Sequence, residues 1–420
     1  MKEEILKKKL TVLPSELKPV KVSAAKAKSF AETVTETDRT YTISSVYDLK
    51  NERVKLPKGV TLKFTGTGKL TNGTIIGDRC KILAEGRVFY NVQVEGGWEC
   101  VGNAFWFTDG CDLGETAAGV PFILKYVDDC DGLQDLLDSS FGEVVFPPRL
   151  YYTSETLVLR WAKKITMQGP RLALSLADCP DNMRRAAVIF TNRDKDLLEI
   201  MVRGYDYHKS VEIEGGNFDV SLCEDYQASG IKVVSDRGER IWGLTINTAI
   251  FGFYKTSSGV GIDINPTKNE ESDGYITDVR INANVYNFGT GVKVRDYVDN
   301  RTMKYFNWCS DVVIDGCISH CRVAVDSTAD CDIRAMIQAG YFYDTKDNGV
   351  PLIRYGGLWC AVSSNIYDIR MTGDGGKWSN GLALEVADED ATVAIGGLFL
   401  ARYLASKRLG WPFVEGKVNH

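Results

Sequence analysis

The sequence predicts an all-β fold in which parallel strands stack into a solenoid, and three observations lead to this prediction. The chain of 420 residues contains 40 Gly but only 11 Pro, which suits many tight turns between regular strands. Short apolar segments are separated by Gly or Asn, with almost no helical pattern between them. A unit of two apolar residues one position apart, followed by Gly, Asn or Asp, recurs in the second half of the chain.

The recurring unit has a nearly constant period, which is what predicts the solenoid. Two apolar residues one position apart place both side chains on the same face of a strand. The small polar residue after them predicts a bend with left-handed backbone conformation. The alternative is a β-sandwich whose strands resemble one another by chance. The copies are 33, 35 and 33 residues apart, at Val211, Leu244, Val279 and Val312, with looser copies at Ile333 and Ile369.

Residues 1–45 are predicted to form an extended arm. Residues 1–30 contain eight Lys and three Glu, a charge of +5, so the rest of the chain carries −11 to give the net charge of −6. The acidic body argues against nucleic-acid binding, which needs a basic face. The basic arm either docks on an acidic partner surface or remains a solvated terminus.

Residues 46–110 are predicted to form a small β module. Val60, Leu62 and Phe64 alternate with polar residues, which is the period of a half-buried strand. The dipeptide Asn72-Gly73 predicts a turn. Further short strands are predicted at residues 74–77, 81–83 and 92–97.

Residues 111–145 are predicted to form a connector and a capping helix. Asp131 and Gln134 have the spacing of a capping box. After Asp131, the residues Leu133, Leu136 and Leu137 form one apolar face. Glu143–Phe146 is predicted to be a strand.

The solenoid is predicted over residues 146–375. Residues 376–420, which have helical spacing near 396–407, are expected to cap the last rung or to contact other copies.

Two stretches resemble known β-helical proteins. Residues 127–148, with Asp128-Asp129 and Leu133-Gln134, and the strands up to residue 169 resemble the opening of the pectate-lyase-like β-helix of phage tail spikes and related polysaccharide enzymes. This resemblance implies a right-handed parallel β-helix with a helix over its N-terminal end. The sequence departs from that pattern at Pro148-Arg149, where the family usually has Gly. Residues 54–77 are similar to a module in β-helical proteins of phages that infect gut Bacteroidales, including crAss-like phages.

The resemblances imply a virion appendage of the tail-fibre or tail-spike type, acting as a rigid structural or host-surface-binding element. They also imply a homotrimer, attachment to other virion proteins through the arm, and a host surface glycan as a candidate ligand. The alternatives are a polysaccharide depolymerase, either hydrolase or lyase, and a bacterial envelope or adhesin protein. No apolar run is long enough to span a membrane and no secretory signal follows Met1, so we expect synthesis in the host cytoplasm without membrane insertion.

The sequence assigns no catalytic residues and favours a non-catalytic role. Polygalacturonases of this fold use a Gly-His-Gly motif, which is absent from a chain with only three His. His208 is expected in a polar loop and His320 at a coil edge, and Asp128-Asp129 is interpreted as part of the helix cap. Four further carboxylates are either candidates for glycan hydrolysis or solvated rim groups, and these are Asp219, Asp263, Asp311 and Asp315.

Neither a cofactor nor a metal is expected. The four late cysteines lack a Cys-x-x-Cys pair and are predicted to pack inside successive coils; they are Cys309, Cys317, Cys321 and Cys331. Aromatic residues late in the chain are candidate glycan or interface contacts, and the interface interpretation is favoured. These residues are Tyr341, Tyr343, Trp359 and Trp378.

Overall fold

The computed structural model describes residues 20–22, 29–202, 210–223, 227–235, 240–253, 258–266, 274–296, 307–338, 353–355, 359–364, 366–367, 384–386, 392–395 and 414–415. The described part of the chain is mostly β, with few helices and with long parallel sheets. It divides into two compact units, Met1–Thr108 with Ser139–Phe141 and Asp109–Asp138 with Gly142–His420. Among the described residues, no helix has the length and apolar character needed to cross a bilayer.

The first unit is a parallel β structure that includes a short helix. Ser29 caps α1 (Phe30–Thr33) by a capping box, because its hydroxyl accepts the Glu32 N–H while the Glu32 carboxylate accepts the Ser29 N–H. Residues 29–45 of the predicted arm thus contain a helix and a strand of this unit. Its strands are β1 (Val20–Val22), β2 (Thr40–Ile43), β3 (Val46–Asp48), β4 (Arg53–Lys55), β5 (Thr61–Phe64), β6 (Lys69–Leu83), β7 (Phe89–Trp98) and β8 (Gly102–Asn103), followed by a 3₁₀ helix, Ala104–Trp106.

The strand pairs of the seven-stranded sheet formed by β1 to β7 are parallel and repeat at a short interval. Thr40 pairs with Thr61, which pairs with Lys81, so the same position recurs after 21 and 20 residues. The predicted strand around Val60–Phe64 is confirmed as β5, with Leu62 and Phe64 buried. Parallel pairing at about 20-residue spacing means that the first unit, like the second, is built from stacked repeats.

The predicted turn at Asn72-Gly73 bends β6 instead of ending it. Asn72 and Gly73 have φ values of 52° and 154°, yet residues on both sides of them remain paired in parallel with β7. Gly73 is needed here because a Cβ atom would lie 2.6 Å from the Leu49 Cβ. The two short strands predicted at 74–77 and 81–83 are therefore parts of one bent strand, β6.

The second unit begins with a hairpin and a helix. The hairpin consists of β9 (Asp112–Glu115) and β10 (Pro121–Lys125), and the helix is α2 (Cys130–Asp138). The predicted helix and its apolar face are confirmed, since Leu133, Leu136 and Leu137 are buried.

The predicted capping box of α2 is wrong. Asp128 supplies the acceptor at the start of the helix, at 3.1 Å from the Cys130 N–H. The Gln134 amide instead donates to the Val158 carbonyl and accepts the Val158 N–H, both at 2.9 Å. The Gln134 side chain thus forms the two hydrogen bonds with Val158 that a neighbouring strand would form. Helix α2 therefore covers the edge of that strand, as predicted for a cap.

The remaining strands pass in turn between two long parallel sheets. The first contains β11 (Glu143–Phe146), β12 (Leu150–Tyr152), β14 (Lys164–Met167), β15 (Val188–Phe190), β17 (Val211–Asp219), β19 (Arg240–Phe251), β21 (Gly274–Tyr286), β23 (Asn307–Ser319), β25 (Cys331–Ile333), β26 (Met336–Gln338), β28 (Trp359–Val362), β29 (Ile366–Tyr367) and β31 (Thr392–Ile395). The second contains β13 (Leu157–Leu159), β16 (Leu198–Ile200), β18 (Ser229–Val234), β20 (Val260–Asn265), β22 (Thr290–Val294), β24 (Val323–Ser327), β27 (Ile353–Tyr355), β30 (Leu384–Val386) and β32 (Val414–Glu415).

The sequence repeat is confirmed as strand register. Val211 pairs with Leu244, Leu244 with Val279, and Val279 with Val312. The next rungs differ from the prediction, because Val312 pairs with Cys331 and Ile333 is level with Ile314. The looser copy at Ile333 was therefore placed two residues too late. The copy at Ile369 and the helical pattern near 396–407 lie outside the described residues.

The left-handed bend lies mainly before the apolar pair, not at the polar residue after it. Gly243, Asp278 and Asp311 have φ values of 80°, 52° and 54° and immediately precede the pairs that begin at residues 244, 279 and 312. Left-handed glycines also follow two of the pairs, at Gly215 and Gly316. The strands β19, β21 and β23 thus each turn a corner just before they enter the repeated segment.

A column of alternating charge runs along the second sheet. The residues on either side of each charged position are buried, so the charged residue points away from the core. Two ion pairs beside this charge column join Lys232 to Asp196 at 3.1 Å and Arg295 to Asp326 at 2.5 Å. In register, the column consists of Glu199, Lys232, Asp263, Lys293, Asp326 and Arg354.

We predict that Lys293→Glu destabilises the second unit. It would place like charges opposite both Asp263 and Asp326, and each such pair costs up to about 1 kcal/mol, so the free energy of unfolding should fall by roughly 1–2 kcal/mol. Urea unfolding followed by circular dichroism measures the loss. Arg193→Glu, in an exposed loop, makes the same change in net charge and should leave stability nearly unchanged. Equal losses in the two variants would contradict the prediction.

Candidate functional site

The aromatic residues that the sequence singled out are only partly within the described chain. Tyr341, Tyr343 and Trp378 lie outside the described residues. Trp359 is the first residue of β28, where its backbone pairs with Thr392. The structure instead brings together a different set of aromatic side chains on the first long sheet.

This set lies on the outer side of three consecutive strands, at the beginning of β19, β21 and β23. Ile241, Ile276 and Cys309 occupy one register column and are buried at 0–2% exposure, so the residues next to them point outward. Trp242 and Trp308 are 46% and 40% exposed. The name aromatic row is used below for Trp242, Tyr275 and Trp308.

Tyr275 lies at the centre of the aromatic row and contacts both of its neighbours. Its ring centroid is 5.5 Å from that of Trp308, with 30° between the planes, and 6.1 Å from that of Trp242, with 72° between the planes. The Arg240 guanidinium lies 4.8 Å from the Tyr275 ring centroid, within the range of a cation–π contact. The rings therefore form one continuous surface across three rungs.

Polar side chains border the aromatic row at the adjacent corner. The hydroxyls of Thr277 and Ser310 are 3.0 Å apart, and both donate to the Asp311 carboxylate, at 3.0 and 3.1 Å. On the preceding rung Arg280 donates to Asp278 at 3.3 Å. Exposed rings beside fixed hydroxyls, carboxylates and guanidinium groups can bind a ligand that has both apolar faces and hydroxyl groups.

Sequence reasoning missed the aromatic row because it looked for aromatic residues close together in the chain. A usable signal was present in the repeat itself. Arg240, Tyr275 and Trp308 each lie four residues before a first apolar position of the repeat, at 244, 279 and 312. Because those positions are in register, residues at a constant offset from them meet on neighbouring rungs.

The four carboxylates proposed from the sequence lie at different places in the second unit. Asp311 borders the aromatic row. Asp315 pairs in register with Asn282 on the far side of the corner. Asp263 belongs to the charge column of the second sheet; it is 8% exposed, and burial raises the pKa of its carboxyl. Of the four, Asp311 is the carboxylate that contacts a hydroxyl beside the aromatic row.

Asp219 fastens a loop to the outer face of β17. It is 1% exposed and accepts the Leu176 N–H at 2.7 Å and both the N–H and the hydroxyl of Ser221 at 2.8 and 2.6 Å. Asn217, two residues earlier, accepts the Leu172 N–H at 2.8 Å. Beneath this loop lies an apolar cluster that includes Leu172, Leu176 and Phe251. Burial raises the pKa of Asp219 to about 6, with a further contribution from Asp178.

His320 and the late cysteines lie in structural positions. His208 is outside the described residues, and His320 is a corner residue with φ of 57° whose Nδ1 is 2.6 Å from the Ser319 hydroxyl. Cys309, Cys321 and Cys331 are buried as predicted, whereas Cys317 is only partly buried and its thiol contacts the Tyr286 hydroxyl. Within the described ranges, no group of three or more His, Cys, Asp or Glu could hold a metal ion.

Comparison of the chain with protein-family models, with curated proteins and with solved structures gives no match.

We predict that Tyr275 and Trp308 are energetically coupled. A double-mutant cycle with Tyr275→Ala and Trp308→Ala should give a coupling free energy of about 0.5–1.5 kcal/mol, because the two rings are in contact. Urea unfolding of the wild type, the two single variants and the double variant measures it. The control cycle pairs Trp161→Ala with Trp308→Ala. Trp161 is exposed beside β14, which β17, β19 and β21 separate from β23, so this pair should be additive. Equal coupling in both cycles would argue against a stack centred on Tyr275.

We also predict a pH effect at Asp219. Because its folded pKa of about 6 lies above the ordinary value of 3.8, the folded state binds this proton more tightly than the unfolded state. Acidification through pH 6 to pH 4 therefore stabilises the fold at this site, by up to roughly 3 kcal/mol, and the gain is lost again as pH rises through 6.

The Asp219→Asn variant lacks this titration. The free energy of unfolding of the wild type minus that of Asp219→Asn should increase as the pH falls from 7 to 4, as measured by urea unfolding at several pH values. Asp181→Asn, at an exposed position, is the matched control and should follow the wild type. Parallel profiles for the wild type and Asp219→Asn would refute the assignment.

Proposed function

We propose that the protein is a virion appendage of the tail-fibre or tail-spike type, and that the aromatic row is its host-surface-binding site. The observation that carries this proposal is the placement of Trp242, Tyr275 and Trp308 on the outer side of three consecutive rungs, with two of the three rings at least 40% exposed. A contiguous exposed aromatic surface of this kind is typical of a binding site.

The chemistry of the aromatic row favours a glycan as the surface component that it binds. Ring faces contact the C–H faces of sugars, while the side chains of Arg240, Asp311 and Arg280 offer donors and acceptors for sugar hydroxyls. Because equivalent rungs lie about 4.8 Å apart, an extended chain along the sheet could contact all three rungs at once.

The scaffold proposed for this site is a closed right-handed parallel β-helix. The long parallel sheets and the repeat of 33–35 residues support it, as does the resemblance of residues 127–169 to the opening of tail-spike β-helices. Stacked rungs that share backbone hydrogen bonds suit a surface appendage, since they hold a binding face rigidly. In this proposal the basic arm attaches the protein to other virion proteins, and the protein is made in the host cytoplasm.

A polysaccharide depolymerase on the same scaffold is the second candidate function. It is favoured by the positions of Asp278 and Asp311, which occupy equivalent places on neighbouring rungs beside the aromatic row. Glycoside hydrolysis requires two carboxyl groups about 5–9.5 Å apart, and neighbouring rungs provide spacings at the lower end of that range.

The test of the binding proposal compares two matched variants. Trp242→Ala combined with Trp308→Ala should reduce binding of fluorescently labelled protein to Bacteroidales cells by about ten-fold or more, corresponding to about 1.4 kcal/mol. Trp161→Ala removes a 51% exposed Trp elsewhere in the unit and should bind like the wild type. Flow cytometry over a panel of isolates measures the binding. If the double variant binds as well as the wild type, the aromatic row is not the binding site.

The same preparations distinguish the two functions. Incubation of the wild type with purified capsular polysaccharide should leave the polymer intact if the protein only binds it. Release of oligosaccharides by the wild type, and its loss in Asp311→Asn, would instead identify a depolymerase.

A further inference from the structure

The hairpin at the start of the second unit exposes apolar side chains on one face. On its inner face, Leu113 and Ile123 pack against the apolar cluster beneath the loop that Asp219 fastens. On its outer face, Phe122 and Leu124 are 40% and 66% exposed, and Val120, just before the strand, is 41% exposed. The name hairpin stripe is used below for Val120, Phe122 and Leu124.

The hairpin forms a separate two-stranded sheet, and the Cys111 N–H just before β9 donates to the Leu150 carbonyl of β12 at 3.1 Å. In the part of the chain that the structure describes, β9 and β10 pair with each other and with no other strand. An exposed strand edge beside apolar side chains favours pairing with another strand, and monomeric proteins usually block such edges with charges. Here Lys125 is the one charged residue of β10. The hairpin therefore has the features of a surface that a further strand covers.

The register of the hairpin indicates what kind of strand would fit. Lys125 pairs with Asp112, and Phe122 pairs with Gly114. Gly114 leaves room for the ring, since a Cβ atom there would lie 2.7 Å from Phe122. If the hairpin of a second copy lay beside the first in the same orientation, its β9 would be next to the free edge of β10. Asp112 of the second copy would then face Lys125, and Gly114 of the second copy would face Phe122, with the same irregularity at Leu124 that interrupts the register within the hairpin.

We propose that the free edge of β10 and the hairpin stripe bind β9 of a second copy of this chain. The contact is head-to-tail, so it closes into a ring when the rotation between copies permits. The occupant is a protein strand and not a glycan, because Val120 and Leu124 are aliphatic and the Phe122 ring packs against Gly114 of its own hairpin. Anionic lipid is disfavoured by the carboxylates of Asp112 and Glu115 on β9. This inference holds whether or not the aromatic row binds a host surface.

The first test measures self-association of the full chain. Sedimentation velocity over a range of concentrations should show that the wild type forms oligomers and that Leu124→Lys weakens them by about ten-fold or more in dissociation constant. Leu83→Lys, which changes a 53% exposed Leu in the first unit, should behave like the wild type. A wild type that remains monomeric, or a Leu124→Lys variant of unchanged mass, would overturn the proposal.

The second test uses charge exchange and remains informative if Leu124→Lys does not fold. Asp112→Lys and Lys125→Asp should each self-associate more weakly than the wild type, because like charges then meet across the contact. In a mixture, Lys125 of the Asp112→Lys variant can face Asp112 of the Lys125→Asp variant, so opposite charges meet between copies. The like charges within each hairpin are unchanged, because each variant keeps its own substitution. Recovery of association on mixing supports the head-to-tail contact, and failure to recover in an otherwise associating protein refutes it.

Discussion

In-register pairing of parallel strands is the constraint on which the rest of the structure depends. Each residue of a rung lies about 4.8 Å from its equivalent on the next rung, so chemistry suited to one position must suit a whole column. Columns such as the one through Val211, Leu244, Val279 and Val312 are therefore uniformly apolar. Outward columns have no such restriction from the core, and they carry the charges and the aromatic rings.

The same constraint explains which features could be predicted from the sequence. The repeat of apolar pairs was sufficient to place four rungs in their correct register, because side chains of one column must share burial. The capping helix was predictable from the spacing of Leu133, Leu136 and Leu137. The bend at Asn72-Gly73 was predicted as a turn, but a left-handed dipeptide has the same local signal whether the chain reverses or only turns a corner.

Other features depend on contacts that have no periodic signal. The loop at Leu172–Ala177 is held by hydrogen bonds to Asn217, Asp219 and Ser221, which follow it by more than 40 residues. The spacing of these polar residues in the sequence does not indicate the hydrogen bonds. Gln134 has the spacing of a capping-box residue but bonds Val158, because helix α2 covers a strand that follows it in the chain. Tyr275 and Trp308 of the aromatic row could have been found by comparing residues at a constant offset from the repeat, whereas Trp242 lies two residues before Leu244 and has a different offset.

The charge column of the second sheet has a consequence for how the sequence can change. Lys232, Asp263 and Lys293 are about thirty residues apart in the chain but are immediate neighbours in register. A reversal of sign at one position places like charges opposite both flanking positions, and reversing those positions moves the like-charge contacts to the next rungs, so opposite signs return throughout only when the whole column reverses. Related sequences should therefore preserve the alternation more strictly than the identity of any one residue, and these positions should covary at a separation of one rung.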